Sequence, residues 1–396
     1  MECEIQMTDA TREMQSNYLD SAPMALDRTE GWRYMRRPGA VYEAAGTWYL
    51  TSLEAVRFAL RNPEIFSSAR AFAIGSPVPL LPLMTDPPDH ARYRKILDPL
   101  LSPKVVAALE DSLRAQAAAL IDDFVGSGEC DVVKDLAELF PTQVLLTLFG
   151  LPVEDRDKFR SWGETVLSQA HDVASDVQKE AGLAMFAYLQ DNLERKRGRL
   201  GNDMLSRILA ITGEDRWSDT ELLGLCFTFV LAAIDTTSGA IGFLFYYLAR
   251  QPDLRRKVID DRATVVPLVE EVLRIEAPVP YMPRRTTQEV DVCGVRIPAD
   301  AYCIVMMGCA NRDIGGDFPD EIDLDRAGRT HLSFGGGIHR CLGSHLARRN
   351  LRLVVEEFHR RIPDYWIKPG FTPRIAWPRA TFHLETLPVQ FQPRSP

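Results

Sequence analysis

Cys341 stands in the run Phe334-Gly-Gly-Gly-Ile-His-Arg-Cys-Leu-Gly343, a glycine-rich loop just ahead of an amphipathic stretch whose spacing predicts a helix over 342–361. A thiolate is a soft metal ligand. The helix N-terminus that follows offers backbone N–H groups and a positive dipole end, which favour thiolate over thiol. Glycines at 335, 337 and 343 let the backbone turn with φ > 0 and pass close to a flat ligand. Three further groups could do chemistry. Asp235-Thr236 sits in the middle of a long apolar stretch. Glu271 and Arg274, three apart, share one helical face, as do His90 and Arg94, four apart. Each has a bland reading: a small buried cysteine, solvated charge pairs, and a mid-helix threonine bonding back to the carbonyl one turn away.

The elements that must hold these residues can be read from pattern. Residues 41–52 alternate β-formers around Ala-Gly and predict a hairpin, with a helix from Ser52 to about Asn62. Residues 70–88 are proline-rich, irregular and apolar, and a loop of that kind in a compact domain is more often functional than decorative. From Asp89 to Ala249 the pattern is largely helical, with stops at Gly126–Gly128, Gly150–Pro152, Gly198–Gly201 and Gly213. Ser218-Asp-Thr-Glu221 is a capping box that opens a central helix closed by Pro252, about 45–50 Å long. A helix over 265–276 and short strands over 283–297, 301–307 and 381–391 follow. The fold class is mainly α with minor β, an α+β arrangement read as one domain over 1–396: helix-rich over 89–276, β-rich over 41–52 and 283–391.

Composition excludes several classes. A net charge of −9 argues against non-specific nucleic-acid binding. Seven scattered cysteines make neither a disulfide framework nor a zinc pair and fit a reducing cytoplasm. The acidic N-terminus has no apolar core of a signal peptide. Leu222–Ala249 is apolar enough to suggest a membrane span, but Asp235 at its centre would be costly there, and a buried central helix is expected instead.

The pattern F-G-x-G-x-H-x-C-x-G resembles the haem-binding signature of the cytochrome P-450 family, and the likeness runs from about residue 41 to 391. It implies heme b with Cys341 as its axial ligand, within a loop bounded by Phe334 and Gly343; such a thiolate pushes electron density to the iron and favours O–O cleavage. It implies that Glu271 and Arg274 are buried and joined by Arg326 as a structural network, and that His90, Arg94, Arg284 and His339 are donors to the haem propionates, with Arg285 as an alternative to Arg284. Ala232-Ala-Ile-Asp235-Thr236-Thr237 matches the family's A-G-x-D/E-T-T except that Ala233 replaces glycine. The resemblance gives Thr236 the handling of dioxygen and water, and Asp235 the relay of protons. Ala310-Asn-Arg-Asp313 also fits the family, with no chemistry assigned to it.

The function implied is a soluble monooxygenase of bacterial type, inserting one atom of O2 into an apolar small molecule. Electrons would come from NAD(P)H through a ferredoxin-type donor and its reductase, since the chain carries no flavin or iron–sulfur module. Two alternatives stand beside it: a peroxide-driven haem-thiolate hydroxylase, against which Asp235–Thr236 argues, and a non-catalytic haem-binding partner protein. Arg340, Arg348, Arg349, Arg352, Arg360 and Arg361 are expected to dock an acidic donor. The substrate pocket is expected from Phe72, Leu81 and Leu83 of the apolar loop, Thr228, Leu231 and Ala232 of the central helix, and Val279 and Tyr281. That lining favours a terpenoid, steroid or small aromatic over a fatty-acid carboxylate.

Overall fold

The computed structural model describes residues 22–25, 27–69, 71, 78–167, 176–313, 320–326, 330–375, 377 and 381–393. Helices dominate and the strands are short, as the residue pattern predicts. The helices that position the site are α1 (Leu53–Arg61), α2 (Asp89–Leu100), α3 (Glu110–Asp122), α4 (Arg156–Leu167), α5 (Asp219–Arg250), α6 (Val265–Glu276) and α7 (Ser344–Arg361).

The capping box forms at the start of α5. Ser218 Oγ accepts from the Glu221 N–H at 3.2 Å, and the Glu221 carboxylate accepts from the Ser218 N–H at 2.6 Å. Arg92 and Tyr93 of α2 donate to the same carboxylate at 2.6 and 2.9 Å, tying α2 to the head of α5. Desolvation opposes that charge, but the bonds from Ser218, Arg92 and Tyr93 hold the Glu221 carboxyl down at about 2. With 32 residues α5 is about 48 Å long. It is long and apolar enough to cross a membrane by composition, yet 72% of its most apolar window is buried inside the fold. A helix apolar on all faces belongs in a core.

The strands are β1 (Val41–Ala44), β2 (Thr47–Leu50), β3 (Phe66–Ser67), β4 (Glu129–Asp131), β5 (Met282–Thr286), β6 (Val290–Val292), β7 (Val295–Ile297), β8 (Tyr302–Val305), β9 (Tyr365–Ile367) and β10 (Pro388–Phe391). One sheet runs β1-β2-β8-β5-β3, with β2 and β8 parallel in the register Leu50↔Val305. A second runs β4-β10-β9, and β6-β7 is a hairpin. The predicted hairpin at 41–52 turns on Ala45 and Gly46, both at positive φ, the twist that two-residue hairpin turns require. Two expectations shift. The strand expected over 381–391 is confined to β10, with an isolated bridge Ile375↔Leu384 before it. β3, β4 and β9 span two or three residues, too few for a period-two pattern to show.

Candidate active site

The Cys341 loop is built by its own backbone. Cys341 N–H donates to Phe334 O at 2.8 Å, and Gly335 N–H to Leu332 O at 2.7 Å. Gly335 and Gly337 both take positive φ, 65° and 62°. At Gly337 a Cβ would collide with the carbonyl oxygen of Leu60, so its lack of a side chain also lets the loop lie on the end of α1. Gly343 differs from the expectation: it is the N-cap of α7 at φ −81°, an ordinary conformation, and a Cβ there would meet open space. Phe334 lies beneath the loop, with the Arg348 guanidinium 4.4 Å from its ring centroid. The Cys341 side chain is exposed. Desolvation by the surrounding protein still pushes its thiol up, outweighing the Gly343 N–H and the cations Arg94, Arg348 and Arg340. The Gly343 N–H and the cations thus pull toward the thiolate, as expected from the helix terminus, while burial opposes them. A bound metal cation would decide the balance, because a coordinating thiol is deprotonated outright.

Four of the expected donors meet beside this loop. His90, at the start of α2, and His339 pack ring to ring with centroids 4.3 Å apart. The Nε2 atoms of both are buried without a hydrogen-bond partner among the described residues. Arg284 of β5 is only 4% exposed. Its Nη1 donates to Pro283 O at 2.7 Å, and no described carboxylate pairs with it. Desolvation lowers its pKa to about 10, with Asp86 partly compensating. Desolvation, then Arg284, His90 and Arg94, pushes His339 down to about 3. Arg285, its neighbour, has an acid within reach, Asp300 at 3.1 Å from Nε, although that Nε is buried and makes no hydrogen bond among the described residues. Buried cations and donors without partners cost free energy. A partly buried dianion, such as two carboxylates, would complete them. Arg94 is partly committed elsewhere: it braces the loop through the Arg340 and Ile338 carbonyls at 2.7 and 3.4 Å, and pairs with Asp98.

Behind the loop the polar atoms are paired. Glu271 and Arg274, each 1% exposed, form two parallel bonds of 2.8 and 3.0 Å. Arg326 Nε and the Asp323 N–H reach the same carboxylate at 3.1 Å. Desolvation resists the charge, but these bonds win and hold the Glu271 carboxyl below the usual range. Asn311, fully buried, was a structural residue that sequence reasoning left without a role. Its amide donates to Arg274 O and Ser333 Oγ, and its carbonyl accepts from the Leu332 N–H. It thereby ties the loop's first residues to α6. Its place after a buried strand, in Ala310-Asn-Arg-Asp313, was the available signal.

The middle of α5 presents two flanks. Ala232 and Thr236, four apart, share one; Ala232 is exposed although α5 is otherwise mostly buried. Thr236 Oγ1 donates to Ala232 O at 2.7 Å, the back-bond foreseen as the bland reading. Asp235 faces a polar cavity of about 220 Å³ shared with Lys134, Glu138, Arg160, Glu164, His383 and Glu385. Ala233 packs on the apolar cluster that also holds Leu231.

The arginines of α7 are mostly neutralised by acids far away in sequence. Arg348 grips Glu270 at 2.6 and 2.8 Å, where His331 also bonds. Arg349 and Arg352 pair with Glu110 of α3, Arg360 with Glu357, and Arg361 with Asp122 and Glu357. The local excess counted along the chain is thus partly offset in space, while Arg340 and Arg360 stay exposed.

The expected pocket residues belong to three apolar clusters. Leu81 and Leu231 share one buried cluster with Leu83 packed on it, Val279 packs on a second and Tyr281 belongs to a third. Thr228 is buried and donates to Gly224 O at 2.8 Å, so its hydroxyl hydrogen is already committed. Phe72 lies outside the described residues.

The family model for Cytochrome P450 matches residues 164–361. A Vitamin D(3) 25-hydroxylase from Pseudonocardia autotrophica is 32% identical over 364 residues, covering 88% of this chain and 89% of that protein. A Methyl-branched lipid omega-hydroxylase from Mycobacterium tuberculosis is 32% identical over 350 residues, covering 84% and 81%. Among solved structures, a myxobacterial cytochrome P450 in complex with myristic acid superposes with a TM-score of 0.86 at 27% identity, covering 94% of this chain and 98% of that one.

Proposed function

Because the chain belongs to the cytochrome P450 family of haem-dependent monooxygenases, we infer that it oxidises a neutral apolar small molecule with Cys341 as the iron ligand. The observation that carries this is the set formed by the buried, unpartnered His90 Nε2 and His339 Nε2 and the buried Arg284, which has no acidic partner among the described residues, beside an exposed thiol. Those groups fit the two propionates of heme b, with charge-assisted bonds offsetting desolvation. Arg94 holds the loop's carbonyls and stands close enough in sequence and space to His90 to join them. The haem, when bound, supplies the activation of dioxygen.

The chain's own residues position and protonate. Thr236 keeps its hydroxyl proton on Ala232 O, on the flank that is open; rotation about χ1 would turn that proton outward. Asp235, backed by the polar cavity, would pass protons inward from solvent. The Glu271–Arg274–Arg326 network keeps the loop in place and takes no part in chemistry. The apolar lining at Leu81, Leu83 and Leu231 favours a terpenoid, steroid or small aromatic; the vitamin D hydroxylase among the relatives accords with that, whereas the methyl-branched lipid hydroxylase and the myristic acid complex do not. We assign electron delivery to a cytoplasmic ferredoxin-type donor and its NAD(P)H reductase.

The reduced, carbon-monoxide-bound protein is expected to show the red-shifted Soret band of thiolate ligation, and Cys341→His to lose it; an unshifted band in the wild type overturns the assignment. Thr236→Ala is expected to bind substrate normally but divert reducing equivalents to peroxide. Unchanged product per NAD(P)H would remove Thr236 from the reaction. Spectral titration with neutral apolar ligands and their carboxylate analogues tests the substrate class.

A further inference from the structure

Between Leu222 and Tyr246, every residue of α5 with open surface falls in 229–236; residues 222–228 and 237–246 are buried without a break. This window is bracketed by two glycines. At Gly224 a Cβ would collide with the carbonyl oxygen of Pro79, and Leu81 Cγ lies 3.6 Å from the same point. At Gly239 it would collide with the carbonyl oxygen of Phe382, with His383 Cβ at 3.3 Å. Each glycine thus lets the backbone of a different loop lie directly on the helix. The seats are 15 residues apart, about 22 Å along the axis. A third glycine of the same helix, Gly242, has nothing closer than 3.7 Å, an ordinary contact.

Both loops are held firmly from behind. Met84 N–H closes the first by donating to Leu80 O at 2.7 Å. Phe382 N–H donates to Pro278 O at 2.8 Å, and its ring packs between Trp32 and Trp377 with centroids 5.5 and 4.8 Å away. Neither loop can move in closer, because carbonyl already meets Cα. Neither can sit at that height over any residue larger than glycine, since the clashing atoms are backbone rather than the tip of a flexible side chain.

We propose that Gly224 and Gly239 are specificity-determining positions, whose two loop seats fix the ends of the open window on α5 and so the length of substrate it admits. This rests on reading the window as the reaction face. An added methyl lifts the seated loop, lengthens the window at that end and loosens the loop's backbone. The two ends act independently, since different loops sit on them.

The test compares Gly224→Ala and Gly239→Ala with Gly242→Ala and wild type. Two readouts are taken: amide hydrogen exchange in 78–84 and 381–384, and spectrally determined affinity for 1-alkylimidazoles of increasing chain length. Gly224→Ala is expected to speed exchange at least tenfold in 78–84 alone, and Gly239→Ala in 381–384 alone. Each is expected to shift the ratio of long-chain to short-chain affinity at least fivefold toward long chains, while Gly242→Ala matches wild type. Wild-type exchange and ratio in both folded variants overturn the proposal, as does an equal shift in Gly242→Ala. If Gly224→Ala fails to take up haem, exchange in 78–84 is compared between the haem-free variant and haem-free wild type, and an equal rate there overturns the Gly224 seat. A wild type without the thiolate band refutes the haem assignment; the exchange comparison, which needs no haem, then still judges the seats.

Discussion

The two sides of the Cys341 loop are built on opposite principles. Behind it, Glu271, Arg274 and Asn311 are almost wholly buried and their polar atoms find partners in the protein. Beside it, His90 and Arg284 are also buried and His339 is half-buried with its Nε2 enclosed, yet two ring nitrogens find no hydrogen-bond partner and a guanidinium no acid among the described residues. The first region is complete as polypeptide. The second is complete only when something else arrives, and the chemistry of what is missing can be read from what was left unpaired. Burial of a charge by itself thus does not separate structural from ligand-binding residues; the bookkeeping of its partners does.

The sharpest way to break this comparison is to remove one member of the paired region. Glu271→Ala leaves two arginines facing each other without their carboxylate, and should cost about 3–5 kcal/mol of stability in urea unfolding of the haem-free protein. A cost below about 1 kcal/mol would mean the network is not what holds the loop. The same kind of change on the other side should do the reverse. Arg284→Met removes a buried cation that has no acidic partner, so the haem-free protein should be as stable or more so. Haem retention should fall by about 1.5–3 kcal/mol, the worth of a charge-assisted bond, followed as transfer to apomyoglobin. Equal destabilisation with and without haem would place Arg284 in the structural class.

The smallest effect expected is one of pH. His359 of α7 is buried against the Tyr365 hydroxyl at 3.1 Å. Desolvation first, and Arg255 second, push its pKa down to about 3. Between the unfolded value near 6.5 and that folded value, the unfolded chain holds a proton that the folded chain does not. Stability associated with neutral His359 is therefore present above about pH 6.5 and is lost as pH falls toward 3, by about 1.4 kcal/mol between pH 7.5 and 5.5. His359→Gln should flatten the pH dependence of unfolding by that amount. An unaltered slope would show that the ring is already protonated in the fold.

What could be read in the sequence was what lies within one helical turn or one loop. The Cys341 run, the Glu271–Arg274 spacing, the Ser218 capping box and the 41–52 hairpin all concern neighbours in the chain, and local geometry decides them. What escaped reading depends on distant segments. The arginines of α7 looked like a cationic face because Glu110, Asp122 and Glu270, which neutralise them, are supplied by other helices. Gly343 looked like a turn glycine and is an ordinary N-cap. Thr228 looked like a free polar group because the Gly224 carbonyl it bonds is main chain, which no residue type reveals. The edge-on packing of His90 and His339 brings together residues 249 positions apart, and only the resemblance to a family had placed them at one site.

The parallel pairing of β2 with β8 has a consequence during synthesis. Trp48, Tyr49 and Leu50 take Cys303, Ile304 and Val305 as partners, some 255 residues later. At about 5–20 residues per second, a ribosome makes that partner roughly 10–50 s after the hairpin has emerged. Through that interval the nascent chain carries an open strand edge with an aromatic pair beside it, the stacked Tyr42 and Tyr49. Such an edge is a template for pairing with a neighbouring chain. That edge stays open until the last third of the chain is being made, and crowding on polysomes should therefore lower the yield of folded protein.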